Sequence, residues 1–218
     1  MKAMILFSGG KDSGLATLML EPFFDEIELV TFSFGQDDSW KAACVAAEEL
    51  GHPHSRRVFE EGIMDRALEI LTATGYPNDA LNYVHSIAVE TLAGECKFVA
   101  DGTRRDDRAP KLDASAVRSL EDRMHMNYLR PLAGLGIRTI KAMATCYLEF
   151  IEEPSEKYPA SDFEIGLRCA LTAKCNQNEV DRIFPKNHTH TRVIRRKRFV
   201  QEVERQEDQA CQGIQSES

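Results

Sequence analysis

The chain has 218 residues, of which 43% are hydrophobic, and its formal net charge is −8. This size allows one sizeable domain or a domain with an appendage, and the acidic balance argues against general nucleic-acid binding. No apolar run reaches the ~20 residues of a membrane span, and no signal-peptide pattern precedes the first predicted strand, so we expect a cytoplasmic protein without a membrane partner.

The first predicted elements are a strand over residues 4–7 and a helix over residues 13–20. Between them stands the hexapeptide Ser8-Gly9-Gly10-Lys11-Asp12-Ser13. Adjacent glycines let the backbone approach a ligand closely, and the following helix offers free N–H groups and the positive end of its dipole. The lysine adds a point charge and the two serines add hydroxyl donors. The pattern is typical of a phosphate-binding loop.

The next segments alternate between strand and helix patterns as far as residue 151. Further strands are predicted over residues 27–34, 54–59, 98–100 and 127–132. Further helices are predicted over residues 39–50, 62–74, 79–97, 114–124 and 139–151. This alternation implies right-handed crossovers, so we expect an α/β fold: a Rossmann-like, doubly wound sheet of five parallel strands.

The last quarter of the chain has a weaker pattern, interrupted by Pro154 and Pro159. We expect residues 1–153 to form the nucleotide-binding domain and residues 154–203 a small C-terminal extension. Within the extension, a helix over residues 161–174 and a basic strand or helix over residues 192–203 fit the pattern. The polar residues 204–218 predict a disordered tail.

Polar residues collect after three of the predicted strands. The hexapeptide follows the first strand, Phe32 and Ser33 end the second, and a run from Asp101 to Asp107 follows the fourth. Open parallel sheets bind ligands outside the carboxyl ends of their strands. The three clusters therefore predict one three-sided site for a phosphorylated ligand.

The hexapeptide fits neither a Walker A loop nor a dinucleotide fingerprint. It resembles the SGGxDS loop of the N-type ATP pyrophosphatase (PP-loop) superfamily. The run Asp101-Gly102-Thr103-Arg104-Arg105-Asp106-Asp107 resembles the second motif of that superfamily, and the layout is closest to that of sulfur transferases with a DGTxxDD motif. Here Arg104 and Arg105 replace the usual asparagine and its neighbour. The resemblance covers about residues 1–151.

This resemblance implies an adenine nucleotide alpha hydrolase-like fold and an enzyme that uses ATP and Mg²⁺. Such an enzyme cleaves ATP to AMP and pyrophosphate by adenylating a second substrate, which the sequence does not identify. The implied nucleotide-binding residues are Ser8, Gly9, Gly10, Lys11, Asp12, Ser13, Phe32, Ser33, Asp101, Gly102 and Thr103. The implied catalytic residues are Lys11, Asp12 and Arg104. Asp12 is an implied Mg²⁺ ligand together with Asp106 or Asp107, of which Asp107 is preferred.

Other functions stay open at this stage. Within the same class, the chain could be an ATP-dependent sulfur transferase acting on tRNA or a small molecule, or an amidoligase using ammonia. In another class, it could be a non-catalytic sensor of adenine nucleotides. The basic segment 192–198 could contact tRNA, but a solvated or ion-paired face is favoured. A homo-oligomer is possible.

The six cysteines are widely spaced, which suits free thiols better than a disulfide framework. Cys44, Cys96 and Cys146 fall in predicted amphipathic helices, so we expect them to be buried. Cys169 and Cys175 lie beyond the nucleotide-binding domain and are the better candidates for carrying sulfur.

Overall fold

The computed structural model describes residues 1–35, 38–154, 163–174, 177–184 and 189–197. Within them, a five-stranded parallel sheet has the order β3-β2-β1-β4-β5. Its strands are β1 (Lys2–Leu6), β2 (Glu26–Ser33), β3 (His54–Val58), β4 (Phe98–Ala100) and β5 (Asn127–Leu129). A second sheet pairs β6 (Leu148–Pro154) with β7 (Thr189–Arg196) in antiparallel orientation.

Helices connect the strands and cover both faces of the parallel sheet. They are α1 (Lys11–Leu20), α2 (Trp40–Leu50), α3 (Ile63–Thr74), α4 (Pro77–Ala93), α5 (Ala114–Met124), α6 (Ile137–Tyr147), α7 (Phe163–Lys174) and α8 (Gln177–Ile183), with a short 3-10 turn at Glu21–Phe23. Among the described helices, none is both long enough and apolar enough to cross a bilayer.

The central strand β1 explains the two-faced core. Its buried residues alternate between the faces: Met4 and Leu6 pack with residues of α3 and α4, whereas Ile5 packs with residues of α1, α2 and α6, as does Phe7 just after the strand. The predicted doubly wound α/β fold with five parallel strands is therefore confirmed.

The helix predicted over residues 139–151 is wrong over its last four residues. The helix α6 ends at Tyr147, and β6 begins at the next residue. Leu148 lies in the same core as α1, and β6 pairs along its whole length with β7. This long-range pairing outweighs the helical spacing that Tyr147 and Leu148 share with the preceding turn. The predicted strand over residues 127–132 is also too long, since β5 ends at Leu129.

The C-terminal extension packs on both faces of the parallel sheet. Val193 of β7 joins the core beside α1, and Leu167 and Leu171 of α7 join the core beside α4. The pairing of β6 with β7 also crosses the predicted boundary after residue 153. The extension thereby reaches the loop that follows β1. The predicted tail, residues 204–218, lies outside the described residues.

Candidate functional site

A cleft of about 260 Å³ opens at the carboxyl ends of β1, β2 and β4. Helices α4 and α7 add further walls through Leu81, His85, Phe163 and Glu164, and Ala109 and Pro110 of the loop before α5 complete the lining. Eight predicted nucleotide or metal residues line the cleft: Ser8, Asp12, Ser13, Phe32, Asp101, Gly102, Thr103 and Asp107. The structure thus brings members of all three predicted clusters to one place, as the parallel topology requires.

The loop after β1 turns sharply at Gly9, which has a φ of 77°. A Cβ at this position would stand 2.9 Å from the Cα of Ala43 in α2, so both the backbone and the packing demand glycine. The Ser13 hydroxyl donates to the Gly10 carbonyl at 3.2 Å and lies 3.3 Å from the Ser8 hydroxyl. Two hydroxyl groups therefore stand side by side at the first turn of α1, facing the cleft.

The opposite face of this loop is held by β7. The Val193 N–H donates to the Gly9 carbonyl at 2.9 Å, and the Lys11 N–H donates to Thr191 Oγ1 at 3.1 Å. Gly9, Gly10 and Lys11 are not among the residues lining the cleft. The Lys11 amide, which is one of the N–H groups at the start of α1, thus has a protein partner. Nothing near the hexapeptide in the sequence pointed to Thr191.

Lys11 and Asp12 form an ion pair at the start of α1. The Lys11 side chain is buried, and its Nζ lies 3.1 Å from Asp12 Oδ1. That carboxylate oxygen is itself buried, and it has no hydrogen-bond partner within the described part of the chain. Asp12 is therefore a carboxylate beside a cleft whose Oδ1 is paired with one ammonium and accepts no hydrogen bond from the described residues, and carboxylate oxygen suits a hard cation such as Mg²⁺.

Arg104 is surrounded by carboxylates. Its backbone N–H and its Nε donate to the two oxygens of Asp107, at 2.7 and 2.8 Å, and its Nε lies 3.5 Å from Asp12 Oδ2. Burial alone would lower the pKa of Arg104, but the Asp107 hydrogen bond and the charge of Asp12 raise it above its ordinary value. The predicted catalytic arginine and the predicted metal ligand Asp107 are thus paired with each other. Asp106, the other possible ligand, accepts the Ile137 N–H at 3.0 Å.

Phe32 and Ser33, both predicted to bind the nucleotide, separate in the structure. Phe32 lines the cleft and packs against Phe59, with ring centroids 4.9 Å apart. Ser33 is buried and does not line the cleft; its hydroxyl accepts a hydrogen bond from Arg56 Nε at 3.0 Å. The alternation of a strand places consecutive side chains on opposite faces, so only one of the two reaches the cleft.

Asp101 lies at the floor of the cleft in a buried polar cluster. Its Oδ1 accepts the Thr103 N–H at 2.9 Å, and its Oδ2 accepts the Tyr128 hydroxyl and lies 2.8 Å from His85 Nε2. Burial raises the pKa of Asp101. The hydrogen bond and charge of His85, together with the hydrogen bonds from Tyr128 and Thr103, outweigh burial and hold that pKa below its ordinary value. Burial and the Asp101 charge raise the pKa of Tyr128 well above 10.

The sequence reasoning missed His85 and Tyr128. His85 occupies the buried face of α4 between Leu81 and Ala88, where a polar residue breaks an apolar pattern. Tyr128 is the buried middle residue of β5. A polar side chain on an otherwise apolar face was a signal for the histidine. The tyrosine gives no such signal, because tyrosine is common in strands.

None of the four cysteines within the described residues lines the cleft. Cys44 and Cys96 are partly buried and Cys146 is exposed, so the expectation that all three are buried is wrong. Cys146 stands on the outer side of α6, opposite the buried Ala144. Cys169 is exposed on α7, and Cys175 lies outside the described residues.

The basic segment faces carboxylates over its described part. Arg195 lies 2.7 Å from Glu149 in β6, and Arg196 lies 2.7 Å from Glu21. These pairs place acidic oxygens beside cations that would otherwise attract phosphates.

The five-stranded parallel sheet and the two polar loops at its carboxyl edge define a Rossmann-like, doubly wound α/β protein. The comparisons with known proteins agree at this level. The chain belongs to the family of unknown function DUF7411, whose profile matches residues 1–195.

Two relatives match most of the chain. The uncharacterized protein MJ0690 of Methanocaldococcus jannaschii is 37% identical over 194 residues, which are 89% of this chain and 96% of that protein. A crystal structure from the same organism, described as a predicted subunit of tRNA methyltransferase, has a TM-score of 0.82 and 36% identity. The match covers 92% of this chain and 100% of that one.

A third similarity is local. The 7-cyano-7-deazaguanine synthase of Lysinibacillus sphaericus is 44% identical over 55 residues. These residues are 24% of this chain and 25% of the synthase, so the match supports the superfamily and not a shared reaction.

Proposed function

We propose that this protein is an ATP-dependent enzyme that cleaves ATP to AMP and pyrophosphate by adenylating a second substrate. The observation that carries the proposal is the meeting of Ser8, Asp12 and Ser13 with the Asp101–Thr103 turn in one cleft at the N-terminus of α1. Backbone N–H groups and the helix dipole favour negative charge there, as a triphosphate requires. The partial match to a synthase supports an enzyme rather than a passive binder.

The proposed reaction is an in-line displacement at the α-phosphorus. An oxygen of the second substrate forms a bond to the α-phosphorus while the bond to the bridging oxygen breaks, and pyrophosphate leaves with the electron pair. The Ser8 hydroxyl donates to the phosphate oxygens, and the Ser13 hydroxyl does so by turning its proton away from the Gly10 carbonyl. The Lys11 side chain, next to Asp12 at the start of α1, supplies a cation near the negative charge that gathers on the leaving group.

Asp12 fits the role of Mg²⁺ ligand because its carboxylate lines the cleft and its Oδ1 accepts no hydrogen bond within the described part of the chain. Within the described residues, no group of three or more His, Cys, Asp or Glu side chains could hold a metal, so phosphate oxygens and water would complete the coordination. Bound Mg²⁺ would neutralise charge on the departing pyrophosphate. The pairing of Asp107 with Arg104 leaves Asp12 as the better supported ligand.

The experiment supplies [α-³²P]ATP, Mg²⁺ and a low-molecular-weight cell extract or total tRNA to the purified chain. Labelled AMP or an adenylated product, with stoichiometric pyrophosphate, is the expected result. The tRNA arm is included because a similar structure is described as a tRNA methyltransferase subunit. We do not favour tRNA, since Arg195 and Arg196 are ion-paired.

Two variants test whether the hexapeptide loop takes part in the reaction. Asp12→Asn and Lys11→Met should each lower pyrophosphate release by at least about a hundredfold, which is the scale of losing one group that stabilises transition-state charge. The control Asp122→Asn changes an exposed carboxylate on α5 and should leave release unchanged. ATP that binds tightly but never yields pyrophosphate with either substrate pool would favour the sensor function instead. Full turnover in both loop variants would remove the loop from the reaction.

A further inference from the structure

The Asp101 cluster differs from the other charged groups of the cleft by its depth. The side chains of Asp101 and His85 are 5% and 4% exposed, whereas that of Asp12 is 27% exposed. Asp101 is nevertheless hydrogen-bonded on both oxygens, through the Thr103 N–H on one and the Tyr128 hydroxyl on the other, with His85 Nε2 adjacent. A buried carboxylate is tolerated only with such partners, so these contacts fix where it lies.

The backbone that follows Asp101 touches the phosphate loop directly. A Cβ at Gly102 would stand 2.7 Å from the Ser13 nitrogen and 2.9 Å from the Asp12 carbonyl carbon. The turn after β4 and the first turn of α1 are therefore in van der Waals contact at the end of the cleft that the hexapeptide forms. Any displacement of Asp101 moves Gly102 and changes that contact.

We propose that His85 and Tyr128 are positioning residues, which hold Asp101 so that the Gly102–Thr103 backbone sets the spacing between the two ligand-binding loops. The inference rests on the proposed function for its ligand, MgATP. Neither side chain is assigned a contact with ATP; both act through Asp101. His85 belongs to α4 and Tyr128 to β5, so the cluster connects two elements of the scaffold to the turn after β4.

A matched pair of substitutions at position 85 tests whether the N–H donor of His85, rather than the volume of its side chain, is what matters. His85→Leu removes the N–H group, whereas His85→Gln retains an N–H donor near the position of Nε2. A hydrogen bond to a charged group contributes on a scale of about tenfold or more in an equilibrium constant. His85→Leu should therefore weaken MgATP binding at least about tenfold in calorimetric titration, and His85→Gln should restore most of the loss.

Tyr128→Phe removes only the hydroxyl and should weaken MgATP binding in the same direction. Its control is Tyr147→Phe on α6, where the side chain is outside the cleft. In an Asp101→Asn background the effect of Tyr128→Phe should shrink, because the charge that the hydroxyl serves is gone. Additive effects of the two substitutions would contradict a shared action through Asp101.

Hydrogen exchange gives a readout that needs no ligand. In His85→Leu and Tyr128→Phe, amides of segments 8–15 and 101–107 should exchange faster relative to those of α6 in the same sample. If wild-type protein fails to bind MgATP, the proposed function fails, and the positioning role is decided by this exchange alone. Unchanged exchange in both segments, or equal MgATP binding by His85→Leu and His85→Gln, would overturn the positioning role.

Discussion

The two faces of the hexapeptide differ in how many of their polar groups are hydrogen-bonded within the protein. On the cleft face, Asp12 Oδ1 has no hydrogen bond among the described residues. On the rear face, the Gly9 carbonyl and the Lys11 N–H bond to Val193 and Thr191 of β7. That Asp12 oxygen is paired with Lys11 Nζ but accepts no hydrogen bond from the described residues, whereas the rear-face groups are hydrogen-bonded, which indicates that the cleft face serves a ligand and the rear face serves the loop's conformation.

The largest expected effect comes from a substitution on the cleft side of the hexapeptide. Gly102→Ala places a methyl group against the backbone of Ser13, at a distance that no real Cβ tolerates. We expect the free energy of unfolding to fall by about 1–3 kcal/mol. MgATP binding should weaken by at least about tenfold, because the two loops must move apart.

Chemical denaturation and calorimetry measure these two quantities. The control is Gly134→Ala, since a Cβ at Gly134 would meet nothing within 4 Å. Wild-type affinity in Gly102→Ala would show that the contact between the loops has no bearing on the site.

A smaller effect is expected from the rear side. Thr191→Val removes the hydroxyl that accepts the Lys11 N–H and should lower the free energy of unfolding by about 1 kcal/mol. Thr191→Ser keeps the hydroxyl and should retain stability. MgATP affinity should stay within about threefold of wild type, which is under 1 kcal/mol. A collapse of affinity without loss of stability would make β7 part of the ligand site.

The smallest effect lies on β7 farther from the loop. Arg195 pairs with Glu149 at 2.7 Å, but their side chains are 67% and 48% exposed. Exposed pairs of this kind contribute about 0–1 kcal/mol, so Arg195→Ala should lower the melting temperature only slightly and leave MgATP binding unchanged. A large fall in binding, strongest at low salt, would instead indicate that this cation meets the ligand or a nucleic acid.

The sequence allowed the parallel sheet and the cleft-side residues to be predicted because their signals are local. The hexapeptide occupies six adjacent positions, and the turn after β4 begins directly behind its strand. Parallel topology then brings both to the same edge of the sheet without further information. Phe32 was predicted by the same logic.

The parts that could not be predicted depend on distant pairs. Thr191 contacts Lys11 across 180 positions, and Tyr128 contacts His85 across 43. The strand β6 was mistaken for the end of a helix because its partner β7 lies beyond a stretch of weak pattern. The pairing of Arg104 with Asp107 was also missed, although both residues were named, because their predicted roles treated them as separate groups.

A structure determined with Mg²⁺ and the non-cleavable analogue α,β-methylene ATP tests the central claim most directly. The account predicts the phosphates at the N-terminus of α1, against the hydroxyls of Ser8 and Ser13, with the base beside Phe32 and the β7 contacts to the loop unchanged. A nucleotide bound elsewhere, or a cleft that stays empty at saturating analogue, would contradict it.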